Sequence, residues 1–511
     1  MAYLLPRAGR TTALPSILFG LLLVIQLLIV LAGESLASSL GGEGQLQEQS
    51  DGVRFDDSST SMVRVEPTEN EKLFWEWLVS NGADVSNIVW PAVHPLTGSR
   101  GVMAARDIPG TLEGDHVYVK VPERLMVTEE KALSDKEFGP AIASTLSTSV
   151  DEITRIALYL VFQSTKTTTF FYPYTLVLQE PSVLAVWTEE ERREVQDAKL
   201  VEKCSRQLEE AKRQHRQLSK KHFPPEVFTW EKFYWALANV HQRAFGIRND
   251  DNEHLYNAMV PGADLLNHVN IGTHYKMVDD MAAYVLYPVD QSIRKGEECY
   301  NGYGYVSNDH LLQSYGFALK GNRFDMLEIQ SPSMYAMLQD ISAHHSIPGF
   351  LHPGQAIRQF QGESWKQRLR QCRDALVKRL EYEYTTTLAD DFAKLSSLEQ
   401  KSSPHEEKDW RLRFALHHRI GQKAIAESYA AYCKEAEIDV DDSMSIAQFD
   451  LLVVKAVHRV ELRDRAAPRS NWFELHHKHG DRMHLVELLM QEAKRRLEEE
   501  RKATKSSRTE L

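Results

Sequence analysis

Only four cysteines occur in the 511 residues: Cys204, Cys299, Cys372 and Cys433. None are spaced for a Cys-x-x-Cys zinc site, and they cannot form a dense disulfide framework. Positive charge is also short, with 60 Lys and Arg against 72 Asp and Glu, a net charge of −12 and an isoelectric point near 5.9. A general nucleic-acid binder needs a basic face, so nucleic acid is not an expected partner. No asparagine begins an Asn-x-Ser/Thr sequence, so nothing marks adaptation to glycosylation. Long apolar runs are missing after Gly33, where none reaches the roughly 18 residues of a spanning helix.

The one long apolar run is at the N-terminus. Leu14 to Gly33 carries no charge, follows Arg7 and Arg10, and precedes Ser35-Leu-Ala37, a small-x-small pattern suited to cleavage after Ala37. Residues 1–37 therefore read as a secretory signal peptide. An uncleaved membrane anchor is the alternative, since about 20 apolar residues suffice to span. The expected route is secretory. Where a plastid is reached through the endoplasmic reticulum, this leader plus Ser38 to Asp57 would act as a two-part targeting signal. Residues 38–66 are polar, Gly/Ser/Gln-rich and without periodicity, and read as a disordered linker.

A hydrophobic content of 42% over this length supports more than one ordinary core. Thr68-Glu-Asn-Glu71 is a capping-box pattern ahead of Leu73, Phe74, Trp77 and Leu78, and Asn81-Gly82 supplies the helix stop. Thr188-Glu-Glu-Glu191 opens a charged stretch to about Lys221 that reads as a solvated helix. Thr229 to Phe245 predicts an amphipathic helix with Phe233, Leu237 and Val240 on one face. Beyond Ile329 the pattern changes to long amphipathic helices. Gln491 to Leu511 is a charged tail expected to fray. His476, His477, His479 and His484 cluster without cysteines or a second His pair, so no metal is expected.

Residues 262–317 contain, in order, Asp264-Leu-Leu-Asn-His268, the charged turn Arg294-Lys-Gly-Glu-Glu298, Tyr303-Gly304, Ser307-Asn308 and Tyr315-Gly-Phe317. Upstream, Arg100-Gly-Val-Met-Ala-Ala-Arg-Asp-Ile108 runs from a glycine turn into an alternating apolar stretch, followed by Val117-Tyr-Val-Lys-Val121. Together these resemble the two separated halves of a SET-domain protein methyltransferase. Tyr384-Thr-Thr-Thr-Leu-Ala-Asp-Asp391 and Leu412 to Ile425 are similar to the C-terminal domain of the Rubisco large-subunit lysine methyltransferases and their relatives, including the actin-histidine type. The resemblance covers about residues 70 to 490.

The resemblance implies an α+β architecture. A β-rich SET fold over 67–329, split by a helical insert at about 136–250, would be followed by an all-helical substrate-binding-like domain over 330–490 and a tail over 491–511. It implies S-adenosylmethionine as cofactor, with Tyr303 catalytic. Cofactor contacts would come from Ser99, Arg100, Gly101, Arg243, Asp264, Asn267, His268 and Tyr303. Phe245, Tyr275 and Tyr315 would wall a channel for the target. The family usually has a second glycine where this chain has Arg100. Gln242-Arg-Ala-Phe245 resembles the family's "S-R-A-F".

The expected partner is a non-histone protein substrate, met by a monomer, with membrane contact only if the apolar leader is uncleaved. Lysine is the expected target because Val260-Pro-Gly-Ala-Asp264 is closer to the Rubisco-type "V-P-M-A-D" than to the tryptophan-bearing turn of the histidine type. Histidine methylation and a non-catalytic SET-fold binding protein are the alternatives. Binding of labelled S-adenosylmethionine separates an enzyme from the last.

Overall fold

The computed structural model describes residues 61–95, 98–109, 117–146, 150–219, 223, 226–248, 253–270, 273–278, 283–288, 292–331, 334–341, 350–400, 407–466 and 482–509. The leader expected at 1–37 lies outside them. Among the described residues, no helix is long and apolar enough to cross a membrane.

Ordered pairing starts inside the stretch read as linker, because β1 (Val63–Arg64) pairs with a later strand. The capping box then forms as written. Thr68 Oγ1 accepts from Glu71 N–H at 3.3 Å and Glu71 Oε2 from Thr68 N–H at 2.7 Å, a device worth about 1 kcal/mol. It starts α1 (Glu69–Ser80), which ends at Gly82 with φ +82°. Phe74 and Leu78 are buried, whereas Leu73 is exposed.

β2 (Ile88–Val93) and β3 (Arg100–Ala104) complete a three-stranded sheet with β1. β4 (Val119–Pro122) and β5 (Val127–Thr128) follow. α2 (Glu129–Ser134) precedes the expected insert, which opens with α3 (Gly139–Ala143), α4 (Glu152–Gln163) and α5 (Tyr172–Thr175).

Its charged stretch is two helices rather than the one expected. Gln196, at φ 54°, breaks it between α6 (Glu189–Val195) and α7 (Ala198–Ser219). Nor is the first of these solvated all round. Glu191 on α6 pairs with Arg411 at 2.9 Å, and Glu194 with Lys394 and Arg419 at 3.0 Å each. On α7, Leu200, Cys204, Ala211 and Leu218 are buried and the charges face out. α8 (Trp230–Arg243) buries Phe233, Leu237 and Val240 as expected.

The chain returns to strands with β6 (Ala244–Arg248), β7 (His254–Met259), β8 (Asn267–His268), β9 (Thr273–Val278), β10 (Ala283–Pro288) and β11 (Tyr300–Asn301). The sheets are small: β5-β7-β6, β4-β10-β9 and the parallel pair β11-β8. α9 (Asn308–Ser314) leads to β12 (Met326–Ser331) and β13 (Met334–Gln339), an antiparallel hairpin that crosses the boundary expected at 330. Leu327, Ile329, Ala336 and Leu338 pack with the C-terminal core, so the helical region opens on a hairpin.

Its helices are α10 (Pro353–Arg358), α11 (Trp365–Tyr382), α12 (Leu388–Glu399), α13 (Glu407–Ala436), α14 (Ile446–Ala466) and α15 (Arg482–Thr509). The tail expected to fray is the second half of α15. Its N-terminal part is held by Leu489 and Ala493, both fully buried in that core.

Candidate active site

The site is assembled by the turn between β7 and β8. Gly262 takes φ +97°, which only glycine adopts cheaply, and its N–H donates to Asp264 Oδ1 at 3.2 Å. The Asp264 side chain is buried. Tyr174 of α5 donates its hydroxyl to Oδ2 at 2.6 Å, and Arg243 Nη1 lies 3.4 Å from the same oxygen and donates to the Asp264 carbonyl at 3.0 Å. Burial raises the Asp264 carboxyl above its ordinary value, opposed by Arg243. Arg243 also donates from Nε to Asn239 Oδ1 at 3.2 Å, so its guanidinium is largely committed within the protein.

Parallel pairing of β8 with β11, Asn267 opposite Tyr300 and His268 opposite Asn301, brings two sequence-distant motifs side by side. The His268 ring stacks on Tyr303 at 4.7 Å between centroids and 21° between planes. Tyr303 N–H donates to His268 Nδ1 at 2.9 Å. That amide proton needs an acceptor, so Nδ1 is the bare nitrogen and the ring proton sits on Nε2. The 3.1 Å approach of Nδ1 to the Asn301 carbonyl is then a contact only. Nε2 is buried and has no hydrogen bond to a described residue. Burial lowers the His268 pKa to about 4, which keeps the ring neutral.

Asn267 Nδ2 donates to the Arg100 carbonyl at 2.8 Å and to Glu298 Oε1 at 2.7 Å. Its Oδ1 accepts nothing from the described residues. A Cβ on Gly101 would stand 2.3 Å from Glu298 Oε1 and 2.9 Å from Asn267 Nδ2, so glycine is required for this approach. The Glu298 carboxyl is pushed up by burial and pulled back by the Asn267 hydrogen bond. Arg100 carries its charge away from this cradle to an ion pair with Glu71. The Ser99 carbonyl accepts from His94 N–H at 2.9 Å at the entry to β3. A free amide oxygen beside a buried carboxyl fits the ammonium end of an amino-acid-bearing cofactor.

Tyr303 donates its hydroxyl to the Leu266 carbonyl at 2.8 Å. Burial pushes this phenol up, so it stays protonated and remains a donor. Its ring lies 4.9 Å from that of Tyr315. Both line a pocket of about 180 Å³ together with Phe245, Arg243, Asp264, Leu266, Asn301 and Gln242. Tyr275 is on β9, but its side chain lies outside the described part. Tyr305 is 56% exposed and packs edge-on against Phe324, away from this pocket. His476, His477 and His479 lie outside the described residues and His484 is exposed. No group of His, Cys, Asp or Glu among the described residues could hold a metal ion.

Tyr174, Glu298, Asn301 and Gln242 were not singled out as site residues from the sequence. Glu298 closes the charged turn that was noticed, but no local pattern marks it as pointing inward; the structure buries it with its neighbour Cys299. Tyr174 lies 90 residues from Asp264, and no local pattern marks it.

No protein-family model matches the chain. It is 27% identical over 290 residues to the actin-histidine N-methyltransferases of Callithrix jacchus and Homo sapiens, covering 53% of this chain and 47% of each relative. The chain thus matches about half the length of those curated relatives. Among solved structures it is similar to the SET domain of LSMT bound to lysine and AdoHcy, with a TM-score of 0.56 and 20% identity over 73% of this chain and 94% of that one. Rubisco LSMT bound to AdoMet matches with a TM-score of 0.55, the same identity and the same coverage. The chain therefore has the α+β SET fold of this class.

Proposed function

We propose that this chain is an S-adenosylmethionine-dependent protein methyltransferase that acts on a lysine of a non-histone protein. The observation that carries the reading is the β8-β11 pairing, which brings Asn267 and His268 alongside Tyr300 and Asn301, with the His268 ring stacked on Tyr303, while Tyr303 and Tyr315 line one small pocket. The activity named for the matched relatives and the ligands named for the similar structures support the same class.

Asn267 Oδ1 and the Glu298 carboxyl would hold the cofactor's ammonium, with the Ser99–Gly101 backbone allowing its close approach and the Arg243–Asp264 pair buttressing the pocket wall. When bound, S-adenosylmethionine supplies an electrophilic methyl group on a sulfonium. The protein's part is alignment and exclusion of water. A lysine amine, with an ordinary pKa of about 10.4, has to shed a proton before attack. The Phe245 and Tyr315 walls favour the neutral amine by withholding solvent and attract the ammonium on entry. The Tyr303 hydroxyl, held on the Leu266 carbonyl, orients the amine. Ala263, in the turn where the histidine type bears tryptophan, supports lysine. Histidine is the second reading, favoured by the activity named for the 27% identical relatives.

The C-terminal helical region is assigned to the protein substrate, since the cofactor cradle is built wholly from residues before it. Calorimetric titration with S-adenosylmethionine, then transfer of its labelled methyl group to proteome extracts with the modified residue read by mass spectrometry, tests this reading. Absence of cofactor binding would overturn it, and methylhistidine in place of methyllysine would change the target.

A further inference from the structure

β11 ends at Asn301, and Tyr303 follows across Gly302. On its other side Gly304 takes φ +105°, with no described atom within 4 Å of where its Cβ would stand. A residue between two glycines has a loose backbone, so hydrogen bonds must place the Tyr303 ring. Two come from within the site: Tyr303 N–H to His268 Nδ1 at 2.9 Å, and its hydroxyl to the Leu266 carbonyl at 2.8 Å. A third comes from another sheet. Gly302 N–H donates to Thr273 Oγ1 at 2.9 Å, and the Thr273 hydroxyl donates to Asn301 Oδ1 at 2.7 Å.

Thr273 opens β9, at the edge of the β4-β10-β9 sheet. A threonine hydroxyl has one proton and two lone pairs. Gly302 N–H occupies a lone pair, which leaves the proton for Asn301 Oδ1, so one oxygen grips the side chain before the Asn301–Gly302 peptide and the amide within it. Asn301 is 4% exposed and lines the pocket beside Tyr303. Valine has nearly the shape of threonine and suits a strand as well, so the strand alone does not account for the hydroxyl.

Resting on the methyltransferase reading above, we propose that Thr273 is a positioning residue for methyl transfer, whose hydroxyl fixes the Asn301–Gly302 peptide and through it the placement of Tyr303 in the pocket. It acts through Tyr303 and not on the reacting atoms. Orientation of the amine counts most in the transition state, so loosening Tyr303 lowers turnover and leaves binding of the target segment nearly unchanged.

The test compares the full-length chain with Thr273→Val and Thr273→Ser. In hydrogen exchange read by mass spectrometry, the segment around Gly302 should exchange about ten-fold faster in Thr273→Val, which has lost the acceptor, and as in the wild type in Thr273→Ser. Unchanged exchange in the valine variant overturns the hold. With labelled S-adenosylmethionine and a synthetic peptide library carrying one central lysine between randomised residues, Thr273→Val should lose about ten-fold in kcat, with peptide KM and cofactor affinity within about two-fold. Thr273→Ser should recover most of the loss. A kcat per folded molecule that is unchanged in Thr273→Val would show a purely structural threonine, and a serine variant as slow as the valine one would show that the hydroxyl is not what matters; either overturns the proposal. If the wild-type chain methylates neither this library nor its central-histidine counterpart, the methyltransferase reading fails by that result, and the exchange comparison still decides whether Thr273 holds the segment that carries Tyr303.

Discussion

The pocket and the seam between the insert and the C-terminal helices differ in charge. Unmatched polar groups at the pocket are neutral, whereas the seam buries charges in ion pairs, although nitrogens of His418 and Arg419 there also lack a hydrogen bond to any described residue. In the pocket Gln242 Nε2, and on the adjoining strand β8 His268 Nε2 and Asn267 Oδ1, have no hydrogen-bond partner among the described residues, and His268 is kept neutral. At the seam, buried charges meet opposite charges. Asp391 holds Arg419 at 2.8 Å and Lys423 at 2.5 Å, all three side chains shut off from solvent, and Arg419 reaches on to Glu194 of the insert. His418 lies 3.5 Å from Asp197 and 3.3 Å from Asp309, joining the insert, α9 and α13. Matched buried charges fix one docking geometry because any other would strand them.

Removing one partner at the seam should have the largest effect. Asp391→Ala leaves the buried Lys423 without an ion-pair partner among the described residues and Arg419 with Glu194 alone, and should lower stability by about 3–5 kcal/mol, read by urea unfolding; a loss under about 1 kcal/mol would mean that these charges do not hold the seam. Next is Tyr303→Phe, which keeps the ring stacked on His268 and removes one hydroxyl. Methyl transfer should fall about 10²- to 10³-fold with cofactor affinity unchanged, and near-normal turnover would move the orienting role elsewhere. Asn267→Ala should weaken S-adenosylmethionine binding by about 1–3 kcal/mol in a calorimetric titration with little change in melting temperature. An unchanged affinity would take the cradle away from the cofactor.

The two histidines offer a finer contrast, read from their ring signals by NMR during a pH titration. His268, lowered to about 4, contributes stability that is present above its unfolded value of about 6.5 and is lost as pH falls through 4. For His418, burial disfavours the charge, but Asp197 and Asp309 outweigh it and raise the pKa. Its contribution is complete below about 6.5 and is lost as pH rises through the raised value. At pH 6.5 the two rings should therefore be in opposite states, and like states would remove the contrast. Smallest is Lys394→Ala. This cation pairs with Glu194 at the half-exposed rim of the same seam, and its removal should cost under about 1 kcal/mol in the same urea experiment. A loss matching that of Asp391→Ala would show that burial is not what sets the size of the effect.

The helix starts at Thr68 and Thr229 were legible in the sequence because a cap is a contact between residues three apart. The motif residues around 264–268 and 303–315 were legible too, through their order and spacing. The hairpin at 326–339 was missed because its apolar alternation sits next to helical periodicity and reads as part of it. The ordered tail was missed because α15 is strongly charged, and its start is anchored by long-range contacts: the Arg482 ion pairs with Asp340 and Glu461 and the burial of Val486, Leu489 and Ala493. Glu298 was passed over as one more acid in a charged turn. Nothing local shows that its neighbour Cys299 is buried or that Asn267 reaches its carboxyl.

The sequence alone determined the class of fold, the elements with capped or strongly periodic ends, and the residue types able to bind and transfer, since each depends on chemistry or on contacts within a few residues. Tertiary structure decided the rest: that β8 lies parallel to β11, that Tyr174 holds Asp264 from 90 residues away, and that Arg243 is committed while Gln242 Nε2 has no partner among the described residues. Whether a polar group is matched depends on what the folded chain brings within about 3 Å of it, and at those separations no sequence pattern carries that distance.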